Sequence, residues 1–183
     1  MKTPVAIAAW HQEHVYFNQL LHLLRREVDV FHLGGRPNYE LMYDIVSYLR
    51  EYGDAVHHPR EDLAFDRLVK RCPELELELA RLGQEHRIIA QAGEKLLGLI
   101  EAILEDAMVP RAELETAAAT YLVYYGNHIA KEEEDVLTRA ALHLTPEDWE
   151  AVKRAAPGAK DPLLSGQASE RYSALRRRIV LEA

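Results

Sequence analysis

Apolar residues recur every three or four positions along most of the chain, which predicts helices and leaves no room for strands. Over residues 5–33 the stripe reads Ile7, Trp10, His14, Phe17, Leu21, Leu24 and Val28. Gly34 to Asn38 interrupts it, with Asn38 placed to cap a second helix from Tyr39 through Leu41, Ile45, Tyr48, Leu49 and Tyr52. Pro59 removes a backbone donor inside that helix, so a kink near Ala55 is expected before the helix continues through Leu63, Phe65, Leu68 and Val69 to Cys72-Pro73. A third helix is predicted from Glu74 to about Ala107, on a stripe of Leu75, Leu79, Leu82, His86, Ile89, Gly93, Leu97, Ile100 and Leu104. Pro110 breaks it, and a fourth runs from Arg111 to Leu142 through Leu114, Ala118, Tyr121, Tyr125, His128, Glu132, Val136 and Leu137.

Thr145-Pro146-Glu147-Asp148 is a helix start, with a hydroxyl cap and proline in the first turn, and opens a short helix over 146–156. Pro157-Gly158 and Asp161-Pro162 form a loop, and a last helix is expected over 165–181. The fold class predicted is all-α: an up-down-up-down four-helix bundle over residues 1–142, with residues 143–183 a helical extension packed on it.

Superimposed on the stripes is a polar pattern that occurs twice. Glu13-His14 is followed by His57-His58-Pro59-Arg60-Glu61, and Glu85-His86 by His128-Ile129-Ala130-Lys131-Glu132. From His14 to His57 is 43 residues and from His86 to His128 is 42, so the copies match to one position. The four histidines fall one to each long helix, on otherwise apolar stripes. In His-x-x-x-Glu the two side chains stand one turn apart on one face, so both can reach the same metal. Two carboxylates in one core need cations to offset their desolvation. His14, His57, Glu61, His86, His128 and Glu132 are therefore the candidate metal ligands. His11, His22, His32, His58 and His143 are assigned to ordinary core positions. Glu13 and Glu85 point about 100° away from the ligand face and are read as outer-layer or surface groups.

Composition narrows the functions. A net charge of −8, with Arg176-Arg177-Arg178 as the one dense basic cluster, argues against nucleic acid as a partner. No apolar run approaches the ~20 residues that span a bilayer. The single cysteine, Cys72, forbids an intramolecular disulfide and points to the cytoplasm.

Taken in order, Glu13-His14, the His57–Asp62 motif, Glu85-His86 and His128-Ile129-Ala130-Lys131-Glu132-Glu133 resemble the hemerythrin-like, or HHE cation-binding, domain over residues 5–142. That resemblance implies two non-haem iron ions joined by an oxide or hydroxide, with His14, His57, His86 and His128 as terminal ligands and Glu61 and Glu132 as bridges. Manganese or zinc suits the same donors. Oxygen carriers of the family have a further histidine one turn from the third-helix ligand, where this chain has Leu82 and Ala90, and an aspartate five residues after the last histidine, where it has Glu133. The set resembles instead the branch associated with nitric oxide stress, repair of damaged iron centres and redox sensing.

The function expected is a di-iron protein that binds or reacts with a small diatomic gas or peroxide. The alternatives are iron storage, delivery or repair of iron centres, and a di-iron enzyme on an organic substrate. Tyr121, Tyr124 and Tyr125, one or two turns before His128, are candidates to place a hydroxyl near the metals. Gly83, Ala90 and Gly93 beside His86 are read as close helix packing in preference to space for a ligand. The chain is expected to act as a monomer or homodimer.

Overall fold

A computed structural model describes residues 4–156, 161–163 and 170–182, and in the last stretch the side chains of 172–178. The expected turn at Pro157-Gly158 and the helix start at Ser165 lie outside the described residues. Helix α1 spans Val5–His32, α2 Tyr39–Tyr48, α3 His58–Arg71, α4 Glu76–Leu104, α5 Arg111–Lys131, α6 Leu137–His143, α7 Pro146–Ala155 and α8 Glu170–Glu182. No strand occurs among the described residues, and the architecture is an all-α helical bundle. The Asn38 carboxamide caps α2 by accepting from the Leu41 amide at 2.9 Å. Thr145 and Asp148 form a reciprocal capping box at the start of α7. Gly34, at φ 83°, lets the chain leave α1 in the left-handed region.

The kink expected near Ala55 is a π-helical segment over Leu49–His57, in which the His58 amide donates to the Gly53 carbonyl, five residues back. The change of winding lets the chain meet Pro59, in the first turn of α3, without losing helical continuity. A second π segment covers Glu132–Val136, again with a five-residue bond, from the Leu137 amide to the Glu132 carbonyl. The predicted fourth helix is thus α5, this π segment and α6 in succession.

Helix α4 packs along α5 and α2, and α1 along α5 and α2. The core falls into two apolar clusters. One gathers Phe17, Leu20, Leu24, Tyr48, Leu49, Ile89, Ile100 and Tyr121; the other gathers Ile7, Trp10, Phe65, Leu68, Leu82, Val136 and Leu137. Along each of the four rods the motif residues lie between the two: His14 between Trp10 and Phe17, His86 between Leu82 and Ile89. A polar layer is therefore sealed above and below by hydrocarbon. Leu104, placed on the buried stripe by its spacing, is 42% exposed because α4 ends there.

The C-terminal segment meets the bundle at defined points. Tyr48 donates to Asp161 at 2.9 Å, the Tyr172 hydroxyl donates to Glu51, and Leu163, Tyr172 and Leu175 join the larger cluster. Arg71 and Arg67 pair with Asp148 at 2.9 and 3.3 Å, tying α3 to α7.

Candidate metal centre

Each rod brings its motif residue to the sealed layer because the helical repeat that buries the apolar stripe also aims the polar residue on it inward. All six predicted side chains converge there: His57, Glu61, His128 and Glu132 have no exposed surface, and His14 and His86 have 2% and 5%. The histidines meet in pairs. Nε2 of His14 is 2.9 Å from Nε2 of His57, and Nε2 of His86 is 3.0 Å from Nε2 of His128.

Both carboxylates lie between the pairs, one oxygen toward each. Glu61 Oε1 is 3.1 Å from His57 Nε2 and 3.4 Å from His14 Nε2, while Oε2 is 3.7 Å from His86 Nε2. Glu132 mirrors it, with Oε1 3.1 Å from His128 Nε2 and 3.7 Å from His86 Nε2, and Oε2 3.4 Å from His14 Nε2.

The other nitrogen of every ring faces a second carboxylate. His14 Nδ1 meets Glu133 at 2.7 Å, His57 Nδ1 meets Glu13 at 2.5 Å, His86 Nδ1 meets Asp62 at 2.8 Å and His128 Nδ1 meets Glu85 at 3.3 Å. Those four acids form a closed ring. Glu13 of α1 serves His57, Asp62 of α3 serves His86, Glu85 of α4 serves His128, and Glu133, after α5, serves His14. Each acid is the sequence neighbour of one inward-facing group and serves a histidine on the next rod. The 100° offset of Glu13 from His14 turns it sideways onto His57, where Tyr52 also donates to it at 2.7 Å. Lys131 pairs with Glu85, and exposed His11 with Glu133 at 2.8 Å.

Carboxylates at Nδ1 make those nitrogens donors and leave each Nε2 with a lone pair. Within each pair the two Nε2 atoms then face one another at 2.9 and 3.0 Å, a contact that a shared proton or a cation between ring and carboxylate must satisfy. Ligands at right angles on an ion with bonds of about 2.1 Å stand about 3 Å apart, which matches both spacings. All four oxygens of Glu61 and Glu132 are buried without a hydrogen-bond partner, a situation that proteins seldom tolerate without a cation. The donor set fits metal.

Electrostatics agree. Burial alone would lower the His14 ring, yet Glu133 and Glu61 raise it to about 10. His86 and His128 are likewise carried from below by Asp62, Glu132 and Glu85 up to about 9. Burial opposes the charge on Glu61, and the surrounding imidazoles nonetheless hold it well below the usual carboxylate range. The layer as built demands positive charge.

One buried participant is absent from the predicted set. His58 is buried, at 3% exposure, as its assignment to the core predicts, but it sits in the site layer itself: its ring lies 4.2 Å from that of His86 and 5.4 Å from that of His128. One donor atom each from His58, Glu61, His86 and His128 lies within 4.8 Å of the others, as does one each from His14, His57 and Glu61. Burial and neighbouring imidazoles hold His58 well below the usual histidine value. Asp54-x-x-x-His58 in the sequence was the signal available for it. His11, His22, His32 and His143 are exposed surface residues, not core ones.

Tyr121 and Tyr125 are fully buried with unpaired hydroxyls, and Tyr125 lies 5.5 Å from the His58 ring. Tyr124, predicted with them, is 42% exposed and faces away. Gly93 backs onto Tyr121, where a Cβ would stand 3.0 Å from its ring, and a Cβ on Gly83 would stand 3.4 Å from Asp62. At Gly93 the small residue thus serves close packing, as expected.

No helix among the described residues is long and apolar enough to cross a membrane. No curated protein and no solved structure matches the chain. The family model of the hemerythrin HHE cation binding domain matches residues 5–140. That span contains all six converging side chains and the four acids behind them, and the chain belongs to the hemerythrin HHE cation-binding domain family.

Proposed function

We propose that this is a non-haem di-iron protein that binds or reacts with a small diatomic ligand or peroxide. One observation carries the reading: Glu61 and Glu132 each offer one oxygen to one histidine pair and the other oxygen to the opposite pair. That is the disposition of two bridging carboxylates between two cations. His14 and His57 would hold one ion, and His86 and His128 the other. Iron held there would supply electrons and Lewis acidity toward a small ligand.

The rest of the work falls to the protein. The four outer acids fix each ring's tautomer and raise its basicity. Trp10, Phe17 and Phe65 wall the layer with hydrocarbon, their rings 4.9–6.5 Å from those of the site histidines, and so keep bulk water out. Burial of all six donors favours a ligand of two non-hydrogen atoms over an organic substrate. The four rods, joined by short connections, are best read as an up-down-up-down bundle with 143–183 as an appended segment. The single cysteine suits a cytoplasmic setting.

Iron analysis of protein from iron-replete cells tests the assignment, with two irons per chain expected. Full metal content in His57→Ala and Glu132→Ala variants would overturn the ligand set. Stopped-flow mixing of the ferrous protein with dioxygen, nitric oxide or hydrogen peroxide then separates the uses. Reversible absorption bands indicate binding, sustained turnover indicates detoxification, and ready loss of iron to an acceptor supports delivery instead.

A further inference from the structure

We propose that His58 is a fifth nitrogen ligand of the centre, joining His86 and His128 on one ion and leaving the ion of His14 and His57 as the more open one. The proposal rests on the two-ion reading above. Its ground is geometric. The ring is buried in the layer itself, within 4.8 Å, donor to donor, of Glu61, His86 and His128. Its Nδ1 lies 3.4 Å from Asp54 Oδ1, so a fifth acid stands behind this ring as Glu133, Glu13, Asp62 and Glu85 stand behind the other four. With Nδ1 turned to Asp54, Nε2 is the nitrogen left to face the cluster.

Neither side of that fifth pair is yet satisfied. His58 Nδ1 and both Asp54 oxygens are buried without a hydrogen-bond partner. A small movement of the ring toward an ion would leave Nδ1–H to Asp54 as the natural donor–acceptor pair. His57 closes the π segment and His58 opens α3, and from these neighbouring positions both rings are buried in the layer. Helix α4 offers no second nitrogen, since Leu82 and Ala90 stand one turn either side of His86. The twofold pattern of the sequence is thereby broken, because the second copy has Ile129 where the first has His58. One ion has three nitrogens and two carboxylates, and the other two nitrogens and two carboxylates.

Mössbauer spectra of the full chain loaded with ferrous 57Fe decide the matter. The wild type should give two quadrupole doublets of equal area; a single doublet would overturn the inference without any variant. In His58→Ala one doublet should shift while the other stays. Chelator competition should show one of the two irons loosened by about 100-fold or more, beyond the roughly 10–100-fold typical of losing an outer partner. Millimolar imidazole should restore the shifted doublet. His58→Gln, closer in volume, should show the same shift if His58→Ala folds poorly by circular dichroism. Unchanged spectra and affinity in the folded variant, or equal change at both irons, would sink the proposal as a mere packing effect. A wild type that takes up fewer than two irons would instead sink the two-ion reading, and this inference with it.

Discussion

Glu13 offers no atom to the facing Nε2 pairs, but it accepts the His57 Nδ1–H on one oxygen and the Tyr52 hydroxyl on the other. Glu13→Gln would leave the ring's volume unchanged and remove the charge that fixes its tautomer. Metal affinity should fall by about 10–100-fold in competition with a chelator, with helix content intact. Exposed His22→Ala should change nothing in the same assay. At this scale the sequence was informative where spacing alone decides position. The six inward residues followed from matched intervals on apolar stripes. The acids behind them did not, because each serves a histidine on a different rod and no interval within one helix encodes that partner. His58 was passed over because, on an ordinary helix, a residue next to an inward-facing one is turned about 100° away; at this junction of the π segment with α3 both neighbours are nonetheless buried in the layer.

Among the elements, the π segment over Leu49–His57 has a checkable cost. A Cβ on Gly53 would run into the hydroxyl of Tyr125, which is wholly buried and cannot swing aside. Gly53→Ala should destabilise the protein by about 1–3 kcal/mol in denaturant melts. In a Tyr125→Phe background the hydroxyl is gone, and most of that loss should disappear, since alanine is otherwise the better helix former.

Helix α7 offers a second test. Thr145→Ala removes one arm of the capping box and should cost about 1 kcal/mol. Asp148 is the other arm. Burial would raise its carboxyl, but the Thr145 amide and hydroxyl together with Arg71 and Arg67 bring it below the usual aspartate value. Its folded value being depressed, its stabilising contribution is full above the unfolded value of about 3.9 and is lost as pH falls through the folded one. Asp148→Asn should therefore flatten the acid limb of the stability profile and leave the neutral-to-basic side parallel to the wild type. Proline and threonine announced this helix in the sequence. Nothing comparable announces a π segment, whose residues have ordinary helical preferences.

For the whole molecule, ions bound only by the folded chain stabilise it by mass action. At free metal about 100 times its dissociation constant the gain is about 2.7 kcal/mol per site. Removing the metal with a chelator should lower Tm by about 5–10 °C for each site emptied in a domain of this size. A metal-independent Tm would count against the centre. With two apolar clusters on either side of the polar layer, the chelated protein should retain its helical circular dichroism below the lowered Tm, so that loss of metal and loss of fold separate in the melt. The all-α class was legible because it needs only helix period and breaks. How the C-terminal segment docks, through Tyr48 with Asp161 and Tyr172 with Glu51, depends on pairings across more than a hundred residues that local pattern does not carry.

The closed ring of acids bears on when the chain can first hold metal. Every link in it joins one rod to the next, and the last link, Glu133 to His14, joins the far end of the bundle to its beginning. No rod, and no adjacent pair of rods, owns a finished histidine pair with both of its acids. Until α5 and the segment after it pack, His14 lacks Glu133 behind it and His86 lacks His128 as its partner, so the layer with its full ring of acids is complete only when the last rod is in place.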